Sequence, residues 1–155
     1  MRVGIIVYSQ TGNTFTVAEK MLGRLKAEGH LVNLDRITLE GDSPRSEKKI
    51  RFDNQPRVDI YKDVIFGAPV QGFRLSMVMD RYLSEVGSLR GKKVHLFVTK
   101  GLASGWTGGN GAIKKMKKIC EAKGAEIGET GMVYWKDRYK DRMADDLITR
   151  IDKVL

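Results

Sequence analysis

The chain has one cysteine, Cys120, in 155 residues, so no internal disulfide can form. That suits a reducing compartment, and the cytoplasm is the expected location. No apolar run approaches the roughly 18 residues that a membrane span needs. The first apolar run is short and continues into a polar motif, unlike the core of a signal peptide. Histidine is scarce: His30 follows a glycine and His95 lies in an apolar run, and neither has metal-ligand spacing around it. No metal is expected, and no hydrolase constellation is visible. Two phosphate-binding signatures are missing. GxGxxG does not follow the first apolar run, which argues against a dinucleotide fold. GxxxxGK[ST] is absent, which argues against a nucleotide triphosphatase. Carboxylates are in the minority, 19 against 28 Lys and Arg, giving a net charge of +9.

What the chain does have is a strand feeding a helix through a polar turn. The apolar run 3–8 ends at Tyr8, and Ser9, Gln10, Thr11, Gly12, Asn13 and Thr14 follow before a helical pattern begins. The first N–H groups of a helix have no internal partners, and the helix dipole adds partial positive charge there, so an anion is a natural ligand. The hydroxyls and amides of the turn add donors, and Gly12 allows close backbone approach. No Lys or Arg lies between Ser9 and Thr16, so a phosphate would be held by neutral donors alone. The other reading of the turn is a simple helix cap.

The basic balance points to acidic partners or surfaces. Lys114, Lys115, Lys117 and Lys118 follow helical periodicity opposite Ala112, Ile113, Met116, Ile119 and Cys120, as a solvated helix face does. No base-stacking aromatic series interleaves with them, so no nucleic acid is expected. Cys120 falls on the apolar stripe and belongs to the core rather than to chemistry.

Elements alternate along the chain. Strands are expected at 3–8, 31–37, 64–66, 94–98 and within 127–135. Helical stripes are expected on Val17, Ala18, Met21, Leu22 and Leu25; on Leu75, Val78, Met79, Tyr82, Leu83 and Val86; on 112–120; and on Met143, Leu147, Ile148, Ile151 and Val154. Continuously apolar strands between helices imply a parallel sheet covered on both faces. The expected fold is α/β, a single domain over 1–155. It is a doubly wound five-stranded parallel sheet of order 2-1-3-4-5 in three layers. The polar stretch 38–62, holding Pro44 and Pro56, breaks the alternation. There the second crossover is expected to be irregular, with at most a short helix.

On these residues the chain resembles the flavodoxin-like family, whose ligand site at a sheet switch point is a standard example of the doubly wound rule. Tyr8-Ser9-Gln10-Thr11-Gly12-Asn13-Thr14, with Ala18 following, looks like the flavodoxin signature for the FMN phosphate. Gly67-Ala68-Pro69-Val70-Gln71-Gly72-Phe73 follows the third strand, and Thr99-Lys100-Gly101 through Gly108-Gly109-Asn110 follows the fourth. The resemblance implies that these two loops sandwich the flavin ring. It assigns the phosphate to residues 9–14. Ala68, Pro69, Val70, Gln71, Gly72 and Phe73 would lie near N5 and the ribityl chain, with Thr99, Lys100, Gly101, Gly108 and Gly109 on the pyrimidine side. Gly72 is the candidate for a peptide that reorients on reduction. The two aromatics leave alternatives open: Phe73 stacks on the ring or staples the following helix, and Trp106 contacts the ligand or serves a lid.

The implied function is an FMN-binding electron carrier acting on a redox partner protein. The alternative is an NAD(P)H-dependent quinone or FMN oxidoreductase on the same fold. Either would be a monomer or a homodimer. A response-regulator-like switch is excluded, because the ends of the first and third strands carry no carboxylates. The chain departs from acidic flavodoxins: its ring loops hold Arg74 and Lys100 and no acidic residue. A nearby cation favours an anion, so the second reduction potential is expected to be less negative than in acidic relatives.

Overall fold

The central predicted strands are nearly continuous apolar runs, and in the structure the strand's pleat sends alternate side chains to two faces. The computed structural model describes residues 2–41, 47–101 and 108–155. In chain order it shows β1 (Arg2–Val7), α1 (Asn13–Ala27), β2 (Leu31–Arg36), β3 (Thr38–Leu39), a 3-10 turn (Glu47–Lys49) and β4 (Phe52–Asn54). Then follow β5 (Asp63–Gln71), β6 (Arg74–Leu75), α2 (Met77–Glu85), β7 (Lys93–Lys100), α3 (Gly109–Ala122), β8 (Glu126–Tyr134) and α4 (Lys140–Asp152). The parallel sheet runs β2-β1-β5-β7-β8, the expected order.

Ile6, Val64, Phe66, Leu96 and Val98 point to the layer of α2 and α3, and pack on Met79, Tyr82, Met116 and Cys120. Ile5, Val7, Ile65 and Phe97 point to the layer of α1 and α4, and pack on Met21, Leu25, Leu147 and Ile148. Three layers result, as the sequence implies. Cys120 is fully buried, and burial pushes its thiol pKa up to about 12, so it stays protonated as a core residue.

Three expectations need correction. The third strand is not confined to 64–66 but continues to Gln71, and Leu75 belongs to β6 rather than to a helix. The stretch 38–62 holds, besides its 3-10 turn, the antiparallel pair β3–β4. This crossover also contributes to the core. Ile50, Val58 and Tyr61 are buried, Phe52 packs edge-on against Tyr82, and the Tyr82 hydroxyl donates to the Pro56 carbonyl.

His95 lies fully buried where the β7–β8 register shifts between Val94 and Leu96. The Glu129 N–H donates to its Nδ1 at 3.0 Å, so the proton sits on Nε2, which faces Asp63 Oδ2 at 3.3 Å. A Cβ on Gly128 would lie 2.4 Å from the ring, so the glycine makes room for the imidazole. Burial pushes the His95 pKa below its ordinary value, although Asp63 opposes the shift. The unfolded chain therefore takes up a proton near pH 6.5 that the folded chain resists. His95 stabilises the fold fully above about pH 6.5 and loses that contribution as pH falls below it, by at most about 1.4 kcal/mol per pH unit. Urea unfolding of wild type and His95→Gln between pH 7.5 and 5 checks this: the difference between them should shrink as pH falls.

Candidate functional site

The turn after β1 folds around the Ser9 hydroxyl. Its oxygen accepts the Gly12 N–H at 3.1 Å and the Phe15 N–H at 3.2 Å, so its own proton remains available to donate outward. Gly12 is the N-cap of α1 at φ 96°, a left-handed conformation that glycine adopts freely, and open space surrounds its Cβ position. α1 has no acidic residue in its first turn, and its N-cap Gly12 offers no side chain, so among the described residues only the Phe15 N–H of the helix's first N–H groups is met by a side chain, that of Ser9. Gln10 and Thr11 are exposed, and Gly12 and Asn13 are half-buried at the mouth of the turn. Thr14 is buried, and its hydroxyl shares a 2.8 Å hydrogen bond with that of Thr99. This bond ties the turn to the end of β7.

A cation stands beside the turn, contrary to the expectation of neutral donors alone. β1 pairs with β2 in register from Arg2↔Leu31 to Val7↔Arg36, which sets Arg36 level with the end of β1. Its guanidinium donates to the Ser9 carbonyl at 3.4 Å and lies over the Phe15 ring at 4.2 Å. Arg36, Ser9, Gln10, Tyr8, Thr38 and Gly41 help line a cavity of about 190 Å³. That is smaller than the roughly 300–1,000 Å³ of a typical ligand pocket, and suits one polar end of a larger molecule. The signal for Arg36 was present in the sequence: an arginine ending the strand expected next to the first one.

The second segment is a hairpin rather than an open loop. Ala68, Pro69, Val70 and Gln71 extend β5, and β6 folds back on them with Val70↔Leu75 and Gln71↔Arg74. Gly72 and Phe73 form the two-residue tip at φ 57° and 63°. Positive φ at both central positions marks a type I′ turn, which matches the twist of paired strands. A phenylalanine in that conformation carries strain of about 1–2 kcal/mol. Such outliers concentrate at functional sites. Phe73 is 65% exposed, so it does not staple α2. Ser76 caps that helix, accepting the Met79 N–H at 3.4 Å. The Gln71 side chain donates to the Gln10 Oε1, joining the hairpin to the turn.

The third segment meets the second. Thr99 and Lys100 are the last residues of β7, and both are buried. Gly108 is the N-cap of α3 at φ 96°, and a Cβ there would lie 2.0 Å from the Phe73 carbonyl oxygen, so the hairpin tip and the start of α3 touch backbone to backbone. A Cβ on Gly109 would crowd Met132 Sδ at 2.6 Å and the Lys100 side chain at 3.0 Å. Lys100 Nζ lies 5.4 Å from the Tyr134 ring centre, and burial pushes its pKa below the ordinary lysine value. Gly101 is exposed and its carbonyl accepts the Lys136 N–H. Arg74 is exposed beside the tip. Trp106 lies outside the described residues. Sequence reasoning missed Arg36, Met132 and Tyr134.

All three segments therefore converge at the carboxyl ends of β1, β5 and β7, where the strand order reverses and open α/β sheets bind ligands. No family model matches the chain, and no curated protein matches it in sequence. Solved structures do match. Oxidised Flavodoxin 2 from Bacillus cereus is 19% identical over 100% of both chains, with a TM-score of 0.74. Two-electron reduced Megasphaera elsdenii flavodoxin is 24% identical, covering 97% of this chain and 98% of that one, with a TM-score of 0.71. A mutant Fusobacterium nucleatum flavodoxin bound to flavin mononucleotide is 16% identical, covering 99% and 96%, with a TM-score of 0.67. The chain has the flavodoxin-like fold.

Proposed function

We propose that this chain, folded as flavodoxins are, binds FMN at the convergence of its three segments and carries electrons to a redox partner. The observation behind this reading is the paired arrangement at the switch point. A donor-lined turn with a guanidinium beside it lies at one end, and an exposed, strained Phe73 at a hairpin tip lies at the other.

The residues present fit the cofactor. A phosphate monoester needs convergent donors and positive charge. The turn offers the Ser9 hydroxyl, the Gln10 and Asn13 amides, the Thr11 hydroxyl and the N-terminus of α1, with Arg36 adding charge. Thr14 ties the turn to the end of β7 through its hydroxyl bond to Thr99, and keeps a donor for the phosphate where Thr99 supplies the shared proton. A flat ring needs close backbone approach and a π-face, which Gly72, Gly108 and Phe73 supply. Bound there, FMN supplies the redox chemistry, while the protein supplies binding, orientation and electrostatics. Gly72, at φ 57°, gives the tip a residue that tolerates either orientation of its peptide. Lys100, buried beneath the start of α3, places positive charge close to where reduction adds negative charge.

The first test is the visible spectrum of the purified chain with added FMN, followed by NADH and NADPH with a quinone. Flavin bands that neither nucleotide bleaches support a carrier. Rapid bleaching with turnover makes the chain a reductase, and absence of binding overturns the proposal. A second expectation follows from Lys100. Lys100→Met should shift the second reduction potential negative by on the order of 60 mV, one tenfold change in a one-electron equilibrium. Potentiometric titration reads this directly, and an unchanged potential removes Lys100 from the electrostatics of the site.

A further inference from the structure

Many cations of this chain are held in ion pairs, but among the described residues three lysines clustered on one turn of α3 are not. On the α1/α4 side several are held in ion pairs: Lys20 and Arg24 with Asp145, Arg150 with Asp146 and Glu129, His30 with Asp152. On α3, Lys115 pairs with Asp80, and Lys123 donates to the Ser84 and Val86 carbonyls. Lys114, Lys117 and Lys118 form no ion pair among the described residues, although all three crowd into just over one helical turn. Like charges spaced three and four apart on a helix repel by about 0.2–0.5 kcal/mol per pair. The cluster therefore carries an electrostatic cost that an anionic partner would relieve.

The surface around the cluster is shaped as well as charged. A groove of about 770 Å³ runs between α2 and α3, lined by Ser84, Gly111, Ile119 and Ala122 and rimmed by lysines. A second trough of about 720 Å³ lies across the Lys114–Lys118 ridge, against Asn110 and Ile113. Nothing lies within 4 Å of a Cβ built on Gly111, so the groove is open at that point. α3 begins at Gly108 and Gly109, beside the proposed ring site. At 1.5 Å per residue, Lys114 stands about 8 Å and Lys118 about 14 Å along the axis from Gly109.

We infer that the α2–α3 face is the docking surface for an acidic redox protein, whose carboxylates pair with Lys114, Lys117 and Lys118 while apolar side chains enter the groove. The inference rests on the electron-carrier reading, and it reverses the charge arrangement of an acidic carrier with a basic partner. Complementary charge of this kind raises association rates and gives them a steep salt dependence.

The test uses the FMN-loaded chain, reduced beforehand, with the acidic haem protein cytochrome b5 as probe. One electron passes from the reduced flavin to ferric haem, giving ferrous haem. Three variants are compared with wild type: a triple Lys→Glu change at 114, 117 and 118, the same positions changed to Gln, and a triple Lys→Glu change at the exposed Lys26, Lys62 and Lys153. The last carries the same net charge as the first but alters the opposite end of the sheet. Amide shifts of the isotopically labelled, cofactor-free chain titrated with cytochrome b5 locate the contact independently of electron transfer. The expected result is shifts along residues 110–118, and low-salt rates at least tenfold slower in both α3 variants. The Lys26/Lys62/Lys153 variant should lose less than threefold. Equal losses in both Glu variants would mean that only net charge matters, and would overturn the inference. So would unchanged rates, or binding to phosphatidylglycerol vesicles without binding to the cytochrome. Failure of the carrier reading shows itself earlier and separately, as a chain that takes up no FMN.

Discussion

Gly108→Ala is expected to abolish tight FMN binding while leaving the sheet folded. Alanine at φ 96° incurs the left-handed penalty of about 1–2 kcal/mol. Its Cβ would also sit 2.0 Å from the Phe73 carbonyl oxygen and 2.3 Å from its carbon. Both are backbone atoms, and a Cβ has no torsion by which to avoid them. The hairpin tip and the start of α3 must then separate, and those are the two surfaces proposed to hold the ring. A stability loss of about 2–4 kcal/mol and at least a tenfold rise in the FMN dissociation constant should follow. Quenching of flavin fluorescence on titration measures the affinity, and urea unfolding measures the stability. Gly111→Ala in the same helix is the control, because open space surrounds its Cβ position. Alanine there should stabilise the helix by about 0.5–1 kcal/mol and leave FMN affinity unchanged. If the two alanine variants bind FMN equally well, apposition of the hairpin and α3 is irrelevant to the site.

The sheet order was legible because the three central strands carry apolar runs and each helix a stripe of matching period. Parallel strands buried on both faces leave few other solutions. The hairpin at 70–75 was not legible, because Pro69 and Gly72 look like loop residues in a linear sequence. Proline lacks an N–H for a ladder, so an interior strand excludes it. β5, however, pairs with β1 only as far as Val7↔Gly67, while its other side continues with β7 to Pro69↔Thr99. Past Gly67 the strand is an edge on the β1 side, where a missing N–H costs little. β3 and β4 are two and three residues long, too short for alternation to register. In the candidate site, the turn 9–14 could be read because its donors are contiguous. Arg36 could not be read from the turn itself, because it arrives through strand adjacency from 27 residues beyond Ser9. It was implicit in the expected 2-1-3-4-5 order, which places the end of the second strand against the end of the first.

Arg36 also supplies the sharpest test of which end of a ligand the 190 Å³ cavity receives. Arg36→Met keeps an unbranched stem to pack on the Phe15 ring but removes the charge and the bond to the Ser9 carbonyl. If the cavity holds the phosphate, the lost charge-assisted hydrogen bonding is worth about 1.5–3 kcal/mol. FMN affinity should then fall roughly tenfold to a hundredfold. Riboflavin, which has the ring and ribityl chain but no phosphate, should bind wild type and variant alike. Arg36→Lys should fall between, since an ammonium keeps the charge but loses the planar fork that matches phosphate oxygens. The wild-type preference for FMN over riboflavin should also weaken as salt rises, and more so than the variant's, because the guanidinium stands at a partly solvated surface. Isothermal titration of both flavins into the three proteins decides the matter. Equal weakening of FMN and riboflavin would mean that Arg36 acts by holding the Ser9 turn in shape, and the positive charge would have to be sought elsewhere.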